Sequence, residues 1–199
     1  MSEIFNVMLK SSLEEYFIQK FIPEFKSKTL SNSKKNELDI SLREHLGLII
    51  LSYFLQWLNK SDTYRPSVGN EIYDDGAIAE LKTGTFMPVE QVYVYEKFWD
   101  WKAEEGVKNA LAIKDKGREY AKGNTLLIFC NAEGDISLGN IRKNLEESYF
   151  ETIILIGPKG ISEFDFNLVV AKENNTIHNS QYNLIIDENT GVGIINIIQ

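Results

Sequence analysis

The chain has 199 residues, of which 43% are hydrophobic and 25% are charged, a composition typical of a globular protein with its own core. The formal net charge of −8 argues against binding nucleic acid through bulk electrostatics alone. A single cysteine, Cys130, excludes an intramolecular disulfide, and no signal peptide or long apolar span is evident. We therefore expect a cytoplasmic protein without a membrane segment.

The first predicted element is a short helix. Ser12 and Glu15 have the S-x-x-E spacing of a capping box, which predicts a helix from there towards Phe21, ended by Pro23. Residues 26–36 are polar and rich in lysine and serine, so they are predicted to form a loop. This loop is either a solvated linker or a strap that touches phosphates.

A long helix and a connector come next. Apolar residues recur at threes and fours over residues 37–59, which predicts a helix whose second half is buried. Residues 60–68 contain Pro66 and are rich in turn-forming residues, so they are predicted to be a connector without regular structure.

Residues 69–83 read as two short strands around a tight turn. Asp75-Gly76 is a strong signal for a two-residue hairpin loop, because such loops need positive φ angles. Counting outward from that loop places Glu71 directly opposite Glu80. Two opposed carboxylates repel each other, so the pairing favours a bound cation between them. Lys82 lies on the same predicted face, since strand side chains repeat every two residues.

The remaining chain has an α/β pattern. Buried strands before and after one helix predict a right-handed crossover between parallel strands. The predicted elements are a strand or helix entry at 89–95, a helix at 103–122, strands at 125–130 and 152–156 around a helix that begins at Asp135 or Ser137 and ends at Ser148, a strand at 164–171, and a hairpin of 181–187 with 192–198. We expect one domain, with a helical part (about 1–60) packed on an α/β core (about 61–199).

The predicted hairpin resembles the metal site of the PD-(D/E)XK nuclease superfamily. Gly69-Asn70-Glu71 followed by Glu80-Leu81-Lys82-Thr83 is most similar to the Gly-Asn-Asp … Glu-Leu-Lys-Ser pattern of PvuII-type restriction endonucleases. The resemblance implies a restriction-endonuclease-like fold, a mixed β-sheet flanked by helices. It also implies that Glu71, Glu80 and the Leu81 carbonyl bind Mg²⁺, for which Mn²⁺ substitutes, and that Lys82 is the catalytic lysine.

The activity implied by this resemblance is Mg²⁺-dependent hydrolysis of phosphodiester bonds in double-stranded DNA, by a type II restriction enzyme acting as a homodimer. The first acid departs from the family pattern, because it is Glu71 rather than an aspartate after proline. Asp74, Asp75 and Glu44 are alternative or additional acids. Two other functions stay open: a structure-specific nuclease of the same fold, for junctions or repair, and a nuclease-like binding protein without catalysis.

Overall fold

The computed structural model describes residues 12–24, 40–67, 75–95, 102–132, 134–158, 163–173 and 176–198, which form an α/β protein. Its helices are α1 (Leu13–Tyr16), α2 (Ile40–Asn59), α3 (Ala103–Lys114), α4 (Arg118–Ala121) and α5 (Leu138–Glu147), with a π-helical turn at Phe17–Phe21. Its strands are β1 (Tyr64–Ser67), β2 (Ala77–Glu80), β3 (Thr85–Tyr95), β4 (Thr125–Asn131), β5 (Thr152–Pro158), β6 (Glu163–Glu173), β7 (Thr176–Ile186) and β8 (Gly193–Ile198).

The chain divides into two compact units. The first contains Met1–Pro88 and Ile185–Ile195, and the second contains Val89–Leu184 and Asn196–Gln199. The first unit extends past residue 60, where we expected the helical part to end, because α2 packs against β1 and β2. The single domain stays a prediction.

The N-terminal helix begins as predicted. Glu15 N–H donates to Ser12 Oγ at 3.1 Å, and Ser12 N–H donates to Glu15 Oε2 at 3.4 Å, so both halves of the capping box form. Helical residues continue to residue 24, so Pro23 does not end the helix. The wider π-helical turn before it relieves the clash that proline makes with a carbonyl four residues earlier.

The long helix α2 packs through its middle. Residues 46–54 are buried, whereas Trp57 and Leu58 are 38% and 52% exposed. The prediction of a buried second half is therefore wrong for the last turn. That turn instead borders the segment leading into β1, where Gln56 Nε2 donates to Tyr64 O at 3.0 Å.

The strands of the first unit pair differently from the predicted hairpin. β2 pairs antiparallel with β1 on one side, where Glu80 faces Tyr64, and with β3 on the other, where Glu80 faces Thr85. Both sides of β2 are therefore occupied, and the predicted pairing of Glu80 with Glu71 across a ladder is wrong. Residues 60–68 were also predicted to lack regular structure, yet they contain β1.

Gly76 explains why the Asp75-Gly76 signal predicted the wrong pairing for β2. Its φ is +123°, and a Cβ at this position would lie 2.6 Å from Leu48 Cδ1 and 3.0 Å from Ser67 O. The glycine therefore permits a close approach to α2 and β1 rather than the two-residue hairpin loop that Asp75-Gly76 predicted.

The second unit follows the predicted α/β order. The part of β3 from Val89 onward pairs parallel with β4, β4 pairs parallel with β5, and β5 pairs antiparallel with β6. Its core lies between this mixed sheet and the helices α3 and α5. The predicted buried strands, the helix between them and their parallel pairing are confirmed. The predicted helix at 103–122 is interrupted, because Gly117 has a φ of +106° between α3 and α4.

Among the residues that the structure describes, no helix has the length and apolar character needed to cross a bilayer.

Candidate functional site

Glu80 and Lys82 lie where β2 ends and its turn into β3 begins. Residues 81–84 form the turn, in which Gly84 N–H donates to Glu80 O at 2.9 Å and Gly84 has a φ of +70°. Leu81 N–H donates to Thr63 O at 3.0 Å, which attaches the turn to the residue before β1. The backbone around both predicted catalytic side chains is therefore held by hydrogen bonds.

The Glu80 carboxylate accepts hydrogen bonds on both oxygens. Oε1 accepts from Thr63 Oγ1 at 2.5 Å and from Lys82 N–H at 3.1 Å, and Oε2 accepts from Thr83 N–H at 2.6 Å. These donors, the Thr63 hydroxyl first, lower the pKa of Glu80 to about 2. The side chain is therefore an anion at neutral pH.

A hydroxyl pair continues this network. Ser61 Oγ and Thr63 Oγ1 are 2.8 Å apart, and Ser61 is the donor because the single hydroxyl proton of Thr63 is directed to Glu80. Because Thr63 donates to Glu80, the three side chains form a chain of hydrogen bonds. Sequence reasoning missed Ser61 and Thr63, since no motif marks them and the predicted hairpin put another segment beside β2.

Glu80 and Lys82 line one cleft, which we call the Glu80 cleft. It has a volume of about 560 Å³ and is also lined by Asn59, Ser61 and Thr85, with apolar side chains such as Phe86 beside them. Lys82 is exposed, so its ammonium is accessible to an anionic ligand. The cleft thus offers an ionised carboxylate and a cation on one surface.

The described residues fit part of a Mg²⁺ ligand set. Mg²⁺ commonly takes one or two carboxylates together with water and substrate oxygens. Glu80 supplies one carboxylate, although its oxygens already accept three hydrogen bonds at about four lone-pair positions. Leu81 is the residue whose carbonyl the resemblance assigns to the metal. Within the described ranges, no group of three or more His, Cys, Asp or Glu side chains is arranged to hold a metal ion.

Of the other predicted acids, Asp75 and Glu44 lie among the described residues. Glu71 and Asp74 lie outside the described residues, so their roles stay predictions. Asp75 is half-buried in the bend before β2, and Glu44 is half-buried on α2. Neither is among the described residues that line the Glu80 cleft.

Comparison with known proteins identifies no family. No protein-family model matches the sequence, and no curated protein matches it. Among solved structures, the chain is similar to the central domain of yeast acetyl-CoA carboxylase at 12% sequence identity and a TM-score of 0.33. The match covers 68% of this chain and 24% of that chain, so this chain spans about a quarter of its length. A likeness this distant defines neither fold nor function.

Proposed function

We propose that this chain is a Mg²⁺-dependent DNA endonuclease with a restriction-endonuclease-like fold, acting as a type II restriction enzyme. The observation that supports this most is the shared cleft of Glu80 and Lys82, next to a hydrogen-bond network that orients the Glu80 carboxylate. The mixed sheet flanked by helices is compatible with the same proposal.

In this proposal each side chain has a separate task. Glu80 and the Leu81 carbonyl bind the metal, with Glu71 as the second predicted carboxylate. When bound, the ion polarises the scissile phosphate and lowers the pKa of the attacking water. Lys82 orients or deprotonates that water, or neutralises charge that develops on the phosphate in the transition state. Thr63 acts as a positioning residue, because it fixes the orientation of the Glu80 carboxylate.

A nuclease-like binding protein without catalysis is the second candidate. The hydrogen bonds of Glu80 favour it, because they also account for this glutamate as a cap on the turn at residues 81–84. Titration calorimetry with Mn²⁺ separates the two. Heat of binding that disappears in Glu80→Gln supports the metal site, whereas binding unchanged in that variant supports the protein without catalysis.

Plasmid cleavage in Mg²⁺ tests the proposed activity. We expect Glu80→Gln and Lys82→Met to lower the cleavage rate by roughly a hundredfold or more, the usual effect of removing one preorganised charged group. Lys122→Met is the matched control, because Lys122 is an exposed lysine at the end of α4. If Glu80→Gln and Lys82→Met both cleave DNA at the wild-type rate, the assigned roles are contradicted.

Substrate and assembly follow from separate measurements. A restriction enzyme cuts linear duplexes at one sequence, whereas a junction or repair nuclease prefers branched or flapped DNA. A homodimer matches a palindromic site through its two-fold symmetry. Sedimentation of the protein with and without a cleaved duplex therefore tests the dimer, and a substrate panel tests the class of DNA.

A further inference from the structure

A second cleft adjoins the Glu80 cleft in the first unit. This Lys60 cleft has a volume of about 630 Å³ and is lined by Gln56, Lys60, Ser61, Asp62, Thr63 and Lys82. Ser61 and Lys82 line both clefts, so a ligand extending from one enters the other. The described residues of this lining all have polar or charged side chains.

The charges on this lining favour an anionic ligand. Lys60 and Lys82 are exposed, and neither forms an ion pair with a carboxylate among the described residues. Lys114 and Lys143, by contrast, each have a glutamate partner. Among the described residues of the lining, Asp62 is the one carboxylate, against two ammonium groups. The hydroxyl protons of Thr63 and Ser61 are already directed to Glu80 and to Thr63, so the two ammonium groups supply the attraction for an anion.

The backbone at Lys60 is strained in a way that glycine would relieve. Lys60 follows α2 with a φ of +49°, the left-handed conformation in which Gly or Asn ordinarily ends a helix. The end is closed by Lys60 N–H to Trp57 O at 3.4 Å and Ser61 N–H to Gln56 O at 3.1 Å. The backbone alone favours glycine or asparagine at this position. A lysine here is explained if its side chain contacts a ligand.

The wall behind the cleft is already held in place. Arg65 is buried, and its Nη1 donates to Asp62 O at 2.5 Å and to Tyr64 O at 2.9 Å. Gln56 Nε2 donates to the same carbonyl of Tyr64 at 3.0 Å. A ligand therefore meets a preformed surface and loses little affinity to reorganisation of the loop.

We infer that the Lys60 cleft binds a backbone phosphate of the nucleic acid strand whose neighbouring phosphate lies at Glu80 and Lys82. Lys60 contacts this flanking phosphate, and Lys82 lies between the two positions. The choice of nucleic acid as the ligand rests on the proposed function, whereas the anionic character of the ligand follows from the cleft itself.

The test measures binding without catalysis. A short fluorescently labelled DNA duplex is titrated with the protein in EDTA over a series of salt concentrations, for wild type and Lys60→Asn. Asparagine tolerates the left-handed backbone, so the variant keeps the end of α2. The matched control is Lys122→Asn, in an exposed lysine that lines neither cleft.

We expect Lys60→Asn to weaken duplex binding by up to roughly fivefold and to reduce the slope of log K against log salt by about 0.9, the value for one lost phosphate contact. Lys122→Asn should leave both quantities unchanged. Equal slopes in wild type and Lys60→Asn overturn the inference, as does a wild type that does not bind the duplex. Thermal unfolding shows that both variants are folded.

The same experiment separates this inference from the proposed function. A slope that falls only in Lys60→Asn, in a protein that cleaves no DNA with Mg²⁺, supports the phosphate site and overturns the nuclease. Cleavage that depends on Lys82, together with unchanged slopes in Lys60→Asn, supports the nuclease and overturns the phosphate site.

Discussion

Thr63 Oγ1 donates a 2.5 Å hydrogen bond to Glu80 Oε1, and this bond is the largest cause of the lowered pKa of Glu80. The two residues are 17 positions apart in sequence and meet because β1 and β2 pair. Ser61 extends the contact towards the Lys60 cleft through its hydroxyl. The pKa and the orientation of the predicted catalytic carboxylate thus depend on a residue in the segment before β1.

Thr63→Val removes this donor with little change in side-chain volume. The pKa of Glu80 should rise from about 2 towards its ordinary value of 4.5, because the ionised form loses its strongest hydrogen bond. Carbon-detected NMR titration of the Glu80 carboxyl measures the shift directly. Thr152→Val, in a threonine on β5, is the control and should leave the titration of Glu80 unchanged. A pKa still near 2 in Thr63→Val would show that the backbone donors of the turn are sufficient.

The sign of the accompanying effect on stability follows from linkage. The folded pKa of Glu80 lies below its unfolded value, so its contribution to the free energy of unfolding is present above about pH 4.5. That contribution is lost as the pH falls towards 2. Thr63→Val should therefore lose less stability than wild type over this interval, as measured by urea unfolding at several pH values. The difference is small because Glu80 is only half-buried, so solvent screens its interactions.

Lys60→Gly should stabilise the protein. The substitution relieves the left-handed strain at the end of α2, where φ is +49°, and we expect a gain of about 0.5–1 kcal/mol in the free energy of unfolding. Lys122→Gly is the control, because Lys122 has a φ of −61° and gains nothing from glycine. Urea unfolding compares the two variants, and a Lys60→Gly variant no more stable than wild type would contradict the assigned strain. The same variant should bind DNA more weakly if Lys60 contacts phosphate.

The predictable part of the fold consists of the elements whose own residues determine which neighbouring strand they pair with. The apolar runs at 125–130 and 152–156 predict buried strands. Because a helix connects them, the two strands are expected to pair parallel through a right-handed crossover. The structure shows this parallel pairing. The pairing of β2 was not predictable in this way. Ala77–Ala79 is buried whichever segment lies beside it, and the turn signal of Gly76 has a different cause, its contact with Leu48.

The residues of the candidate site also fall into a predictable group and an unpredictable group. Glu80 and Lys82 were predictable because they are close in sequence and carry a family resemblance. Thr63 and Lys60 were not predictable, because their positions beside the site depend on β1. The sequence did not predict this strand because it contains Pro66. Proline is tolerated there because, among the described strands, β1 pairs with β2 alone, so a missing N–H need not interrupt a second ladder.

In the second unit, Lys114→Met tests a half-buried ion pair. Lys114 Nζ lies 2.9 Å from Glu90 Oε2, with side-chain exposures of 15% and 16%, and the same oxygen accepts a hydrogen bond from Tyr120. Removing the ammonium leaves a poorly solvated carboxylate, so we expect a loss of about 1–3 kcal/mol in the free energy of unfolding.

Lys143→Met is the matched control for that pair. Lys143 Nζ lies 3.6 Å from Glu147, and the two side chains are 82% and 65% exposed. A pair this exposed contributes about 0–1 kcal/mol, so chemical denaturation should show little change. Equal losses in the two lysine variants would mean that burial does not strengthen the Lys114–Glu90 interaction.

Gly106→Ala tests how closely α3 packs on β3. A Cβ at Gly106 would lie 2.0 Å from Val94 Cγ1, closer than any real contact, and both residues are buried. Alanine is the better helix former by about 1 kcal/mol, yet the overlap forces α3 away from the strand. We expect a net loss of about 1–3 kcal/mol in the free energy of unfolding, measured by denaturant titration. Gly139→Ala in α5 is the control, because its Cβ would meet only Ser137 Oγ at 3.7 Å, and it should be neutral or slightly stabilising. If Gly106→Ala also gains stability, then α3 has room to move, and the close helix–strand contact does not hold β3 in position.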